Sequence, residues 1–60
     1  MAKFELYEDS AAEFRWRLRA DNGEVIATSG EGYKAHGDCA HGIELVRRQA
    51  PDAGLDDQTK

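Results

Sequence analysis

An Asn22-Gly23 pair stands between two alternating runs, Phe14 to Ala20 and Glu24 to Ser29, and a β-hairpin suits that arrangement best. Phe14, Trp16, Leu18 and Ala20 share one face of the first run, and Arg15, Arg17 and Arg19 share the other. Both turn residues tolerate positive φ, as a type I′ turn requires, so a two-residue loop is expected. Asp21 then pairs with Glu24, Ala20 with Val25, Leu18 with Ala27 and Trp16 with Ser29, while Arg19 meets Ile26 and Arg17 meets Thr28. A slip of one residue would turn Trp16 to solvent, so burial enforces this register. Asp21 and Glu24 repel slightly at the end of the ladder, with Arg19 close enough to relieve them.

Upstream, Lys3 to Glu8 alternates as well, with Phe4 and Leu6 on one face and Lys3, Glu5 and Tyr7 on the other. The polar stretch Asp9 to Glu13 has the length of an ordinary hairpin loop. Downstream, Gly30-Glu31-Gly32 reads as a flexible hinge, and from about Ala35 to Gln49 the period becomes helical. Cys39, Ile43, Val46 and Ala50 make one narrow apolar stripe. Asp38 near the start and Arg47-Arg48 near the end suit the helix dipole, and Pro51 stops the helix. Gly42 costs about 1 kcal/mol against alanine in a helix, and close approach to Trp16 is the expected compensation. The chain therefore reads as α+β: a three-stranded antiparallel β-meander followed by one C-terminal helix packed on the sheet. Residues 1–52 form one domain, and 53–60 a mobile tail.

Sixty residues make a single domain with a thin stability margin. Domains of this size commonly add disulfides, a metal or a partner subunit. The single Cys39 excludes an internal disulfide and suits a reducing compartment. With metal binding rejected below, self-association is the remaining remedy. Eight basic and twelve acidic residues, for a net charge of −4, argue against generic nucleic-acid binding. An acidic, arginine-rich surface also suits a salt-rich cytoplasm. No apolar run reaches the length of a membrane span, and the N-terminus opens with a charged strand. A soluble cytoplasmic protein is expected, without signal peptide or membrane anchor.

His36, Cys39 and His41 are the strongest metal candidates, but one helix brings only His36 and Cys39 to a common face, and zinc needs three or four ligands. Cys39 on the apolar stripe acts instead as a small hydrophobe. A catalytic thiol at Cys39, with His36 as its base, lacks an oxyanion donor set and room for a pocket. No catalytic residue, cofactor or metal is assigned. The Arg15, Arg17, Arg19 stripe invites an oligonucleotide-binding reading, yet alternation sends the aromatics Phe14 and Trp16 to the opposite face. Glu5 and the acidic loop lie near the arginines and suit cross-strand ion pairs. Gly30-Glu31-Gly32 is no phosphate loop, because its glutamate would repel the ligand, and Asp56-Asp57 are solvated tail charges. Tyr7, Ile26, Tyr33 and Leu45 are the apolar residues left off the core stripe, and together they are the candidate dimer interface.

The run Phe14 to Ala20 and then Asn22 to Ala27 resembles the YegP-like family of small domains of unknown function. So do Phe4-Glu5-Leu6-Tyr7, Ser29 to Tyr33, and Gly42-Ile43-Glu44 followed by Val46. The similarity spans about residues 3 to 52. It implies a β-β-β-α unit and pairing, because many members carry two units in tandem and a single-unit chain would reproduce the pair as a homodimer. The family brings no reaction, cofactor or catalytic residue. The chain departs from its pattern at His36-Gly37, where a serine-type helix cap is common, and at Leu45, where a small polar residue is common.

The expected function is that of a homodimeric, non-enzymatic interaction module whose first partner is its own copy. The Gly30-Glu31-Gly32 hinge leaves room for the helix to cross between subunits. The alternatives are a nucleic-acid accessory protein using the arginine face and a thiol site at Cys39.

Overall fold

The computed structural model describes residues 1–59; the last residue of the expected tail, Lys60, lies outside the described residues. Three strands, β1 (Lys3–Glu8), β2 (Phe14–Arg19) and β3 (Val25–Thr28), form one antiparallel sheet in the order β1-β2-β3. The helix α1 (His36–Gln49) follows, and a 3₁₀ turn over Ala50–Asp52 extends it. Pro51 therefore ends the α-helical hydrogen bonding but sits within this last tight turn, where its missing N–H costs nothing.

Between β1 and β2 the period-two pattern sets the faces. Phe4 opposes Leu18 and Leu6 opposes Trp16 on one side, while Glu5 opposes Arg17 and Tyr7 opposes Arg15 on the other. The helix lies on the aromatic side, against β2 and β1 but not against β3. Trp16, 7% exposed, and Cys39, fully buried, are the buried apolar side chains. Phe4 meets the Trp16 ring edge-on, with centroids 5.6 Å apart, an arrangement worth about 0.5–1.5 kcal/mol beyond area burial.

The second hairpin corrects the expected turn. Its loop is Asp21-Asn22-Gly23, closed by Ala20 and Glu24, not the two-residue loop closed by Asp21. The Gly23 N–H donates to the Ala20 carbonyl (2.9 Å) and the Ala20 N–H to the Glu24 carbonyl (2.8 Å). Only Gly23 takes a positive φ, at 90°, while Asn22 stays out of that region and accepts from the Glu24 N–H at 3.0 Å. A three-residue loop of this kind needs one left-handed residue where type I′ needs two. Val25 consequently opposes Arg19 instead of Ala20. A bulge between Leu18 and Arg19 then restores the expected pairs, Leu18 with Ala27 and Arg17 with Thr28. Ile26 is the extra residue, 60% exposed, and Val25 is exposed as well.

The first hairpin repeats the device. Ala12 N–H donates to the Asp9 carbonyl (3.0 Å), Asp9 N–H donates to the Glu13 carbonyl (2.8 Å), and Ala12 carries the positive φ, 62°. An alanine is strained there. The Asp9 carboxylate offsets the strain by accepting from the Ala11 and Glu13 N–H groups at 2.9 and 3.0 Å.

The stretch after β3 is pinned, which corrects the expected free hinge. Ser29, buried although polar, accepts from the Trp16 N–H through its hydroxyl (3.3 Å) and donates to the Glu31 carbonyl (3.0 Å). Tyr33 and Phe14 then exchange both backbone hydrogen bonds at 2.7 Å. Gly32 lies against the Glu13 side chain, whose carboxylate end would have to shift to admit a Cβ. These ties deliver the chain to Ala35, the residue before α1, in an extended conformation with no side-chain cap among the described residues.

Candidate functional site

The sheet face turned away from α1 holds most of the ordered charge. Glu5 sits mid-strand in β1, and its Oε1 accepts from Arg17 Nε at 2.6 Å and Arg19 Nε at 2.8 Å. Lys3 approaches its other oxygen at 3.7 Å. The hydrogen bond from Arg17, then that from Arg19, hold the Glu5 carboxyl at about 2, well below the usual 4.5. Arg15 Nε donates to Asp9 Oδ2 at 2.6 Å, and that bond is the main reason the Asp9 carboxyl is also held low. The Arg17 guanidinium lies 4.4 Å from the centre of the Tyr7 ring, a cation–π contact. Arg19 also donates to the Gly23 carbonyl at 2.7 Å, tying the face to the hairpin loop. Each arginine of the stripe is thus engaged by a carboxylate from β1 or the first loop. The cross-strand ion pairs expected at Glu5 and the acidic loop are in place.

The four residues grouped as a dimer interface do not converge. Tyr7 lies beside Arg15, whereas Ile26 lies next to the Arg19 end of β2, about 13 Å further along the strand. Tyr33 is on neither open face. Its backbone extends the ladder at Phe14, and its hydroxyl stands 2.8 Å from where a Cβ on Gly42 would lie, so it belongs to the packing of sheet and helix. Leu45 is exposed on α1, beside a shallow apolar hollow of about 330 Å³ that it shares with Val46, Gln49, Ala50 and Ala53. The expected approach of Gly42 to Trp16 is present, with Trp16 Nε1 at 3.5 Å from the same Cβ position, but Tyr33 is nearer.

His36 turns its ring edge to Phe14, 5.5 Å between centroids, and His41 is exposed. Cys39 is buried, and burial pushes its thiol up, away from the thiolate a nucleophile or ligand needs. Among the described residues no three His, Cys, Asp or Glu side chains group as metal ligands, and no helix is long and apolar enough to cross a membrane. Sequence reasoning missed Ser29, whose side chain closes the ladder at Trp16. Its one signal was its register position opposite Trp16, just before Gly30.

A second concave surface lies at the open end of the β1–β2 pair. Ala2, Lys3, Phe4, Leu18 and Arg47 line a cleft of about 440 Å³, with the opposed Phe4 and Leu18 as its apolar part and Lys3 and Arg47 as its charged part.

A family model described as "Domain of unknown function (DUF1508)" matches residues 9–57. A UPF0339 protein of Treponema denticola is 55% identical over 53 residues, covering 88% of this chain and 90% of that protein. A UPF0339 protein of Stutzerimonas stutzeri is 53% identical over 49 residues, covering 82% of this chain but 43% of the relative. Among solved structures, the solution structure of a protein from Haloferax volcanii superposes with a TM-score of 0.86 at 48% identity, covering 93% of each chain.

Proposed function

The chain belongs to the DUF1508 family of domains of unknown function, and from that premise we propose that it acts as a cytoplasmic, homodimeric interaction module with no chemistry of its own. The observation that carries this reading is the incomplete cover of the sheet. The helix spans β2 and β1 and leaves β3 bare, with Val25 and Ile26 exposed on it, while Trp16 and Cys39 make up the buried apolar core. A second copy is the simplest source of further burial for a domain of this size. The Stutzerimonas stutzeri relative adds support, because the match leaves more than half of that protein free, room for another unit of this size.

The nucleic-acid alternative draws less support. Arg15, Arg17 and Arg19 are already held by Asp9 and Glu5, and the net charge of −4 repels phosphate. A thiol site at Cys39 draws less still, since its sulfur is enclosed. Sedimentation equilibrium tests the main reading. The expected result is twice the chain mass at micromolar concentration, and a folded monomer under those conditions overturns it.

A further inference from the structure

We propose that the open face of the sheet at Lys3, Arg17 and Arg19 docks an extended acidic segment of another protein, through two carboxylates two residues apart. The inference rests on the interaction-module reading, not on self-association, and supplies that reading with a partner of defined chemistry.

The charges around Glu5 do not balance. Its Oε1 accepts from Arg17 Nε and Arg19 Nε at 2.6 and 2.8 Å, and its Oε2 lies 3.7 Å from Lys3 Nζ. Among the described residues no other carboxylate lies within ion-pair distance of these three cations. One negative charge therefore serves three positive ones. Arg15 differs, because Asp9 matches it one for one. The two guanidiniums drawn to a single oxygen repel each other, and a further anion beside them relieves that repulsion. Donors for it are present. Glu5 takes only the Nε–H of each guanidinium, and the Gly23 carbonyl takes one terminal nitrogen of Arg19, which leaves further N–H groups on both. The surface is reachable, with both arginine side chains 33% exposed and Lys3 68%.

Spacing selects the occupant. Arg17 and Arg19 are two residues apart on one face of β2, about 7 Å. Alternate side chains of an extended peptide laid along β2 repeat at the same interval. Carboxylates at i and i+2 thus meet the two guanidiniums in register, as charge-assisted hydrogen bonds of the kind arginine favours. A second copy does not bring this pattern, since no two acidic residues of the chain stand two apart. Single-stranded nucleic acid fits less well. It is held by stacking as well as by charge, and Tyr7, the aromatic side chain on this face, is already covered by the Arg17 guanidinium at 4.4 Å. Its phosphates also continue past the local excess, over a chain of net charge −4.

Titration of the isotope-labelled protein with the blocked peptide Thr-Glu-Val-Glu-Thr, followed by NMR, tests the site. The expected result is saturable shifts at the Nε–H groups of Arg17 and Arg19 and at the amides beside them. The peptide with both glutamates replaced by glutamine is expected to bind about tenfold more weakly. Thr28→Glu gives an independent check. Position 28 is exposed directly opposite Arg17, so the new carboxylate supplies the missing charge within the chain and weakens the acidic peptide about tenfold, with the sheet intact. Equal binding of both peptides, shifts that avoid Arg17 and Arg19, or unchanged binding to the Thr28→Glu variant overturns the proposal. So does an oligothymidylate that binds more tightly than the acidic peptide, which assigns the face to nucleic acid. Sedimentation of the same samples separates the two readings: a monomer that binds the peptide removes the homodimer alone, and a dimer that ignores it removes the acidic partner alone.

Discussion

The hydroxyl of Tyr33 stands over Gly42, 2.8 Å from the point where a Cβ would project. A residue that joins the sheet through its backbone at Phe14 thereby sets how closely the helix approaches. Alanine at position 42 recovers about 1 kcal/mol of helix propensity, but it collides with that hydroxyl, and overpacking of this kind costs about 1–3 kcal/mol. Gly42→Ala is therefore expected to lower stability by about 1 kcal/mol. In a Tyr33→Phe background the nearest ring atom is Cζ at 3.4 Å, and the same substitution becomes neutral or favourable. Urea denaturation of the two single variants and the double variant measures the coupling.

Acid stability should depend on Glu5. Its carboxyl titrates at about 2 in the folded chain against 4.5 ordinarily, so the unfolded chain takes up the proton first. The resulting stabilisation is complete above pH 4.5 and is lost as the pH falls from there toward 2. Glu5→Gln is expected to flatten the stability profile across that window and to leave Arg17 and Arg19 sharing a neutral amide oxygen in place of a carboxylate. Thermal melts between pH 2 and pH 7 on both proteins give the comparison.

Ala12 occupies the loop position that glycine fills in the other hairpin, as Gly23. Ala12→Gly should stabilise the chain, because relief of the left-handed strain exceeds the added freedom of the unfolded state, for a net gain of about 0.5–1 kcal/mol. Gly23→Ala should act in reverse. Equal and opposite shifts in melting temperature would identify strain as the cause, and a destabilised Ala12→Gly variant would contradict it.

Helix α1 begins without a side-chain cap at Ala35. The departure from the family pattern at His36-Gly37 is thus a missing cap, and the helix forms anyway because Cys39 is buried against the sheet. Ala35→Ser supplies an acceptor for the N–H groups of the first turn and is expected to add about 1 kcal/mol. Hydrogen exchange at Asp38 and Cys39 should slow in the variant.

Much of this architecture was legible in the chain. Period-two alternation at Phe4, Leu6, Phe14, Trp16 and Leu18 placed these residues together, because strand geometry offers two faces and only one carries aromatics. The helical stripe led by Cys39 and the position of Gly42 followed from spacing in the same way. The candidate interface was less legible. Tyr7, Ile26, Tyr33 and Leu45 were grouped by what they were not, and being left off a core stripe says nothing about mutual distance. Tyr33 shows the difficulty, since its place depends on a backbone pairing with Phe14 nineteen residues earlier, which no local pattern encodes.

What the sequence determined, then, was which side of the sheet each residue of β1 and β2 faces, and that Asn22-Gly23 marks a turn. Tertiary structure decided how that turn closes. The same two residues suit either a two-residue or a three-residue loop, and the longer one needs a left-handed residue only at Gly23. Its extra residue is absorbed by the bulge at Ile26, which keeps Leu18 opposite Ala27 and Trp16 on its buried side at the cost of exposing Val25 and Ile26.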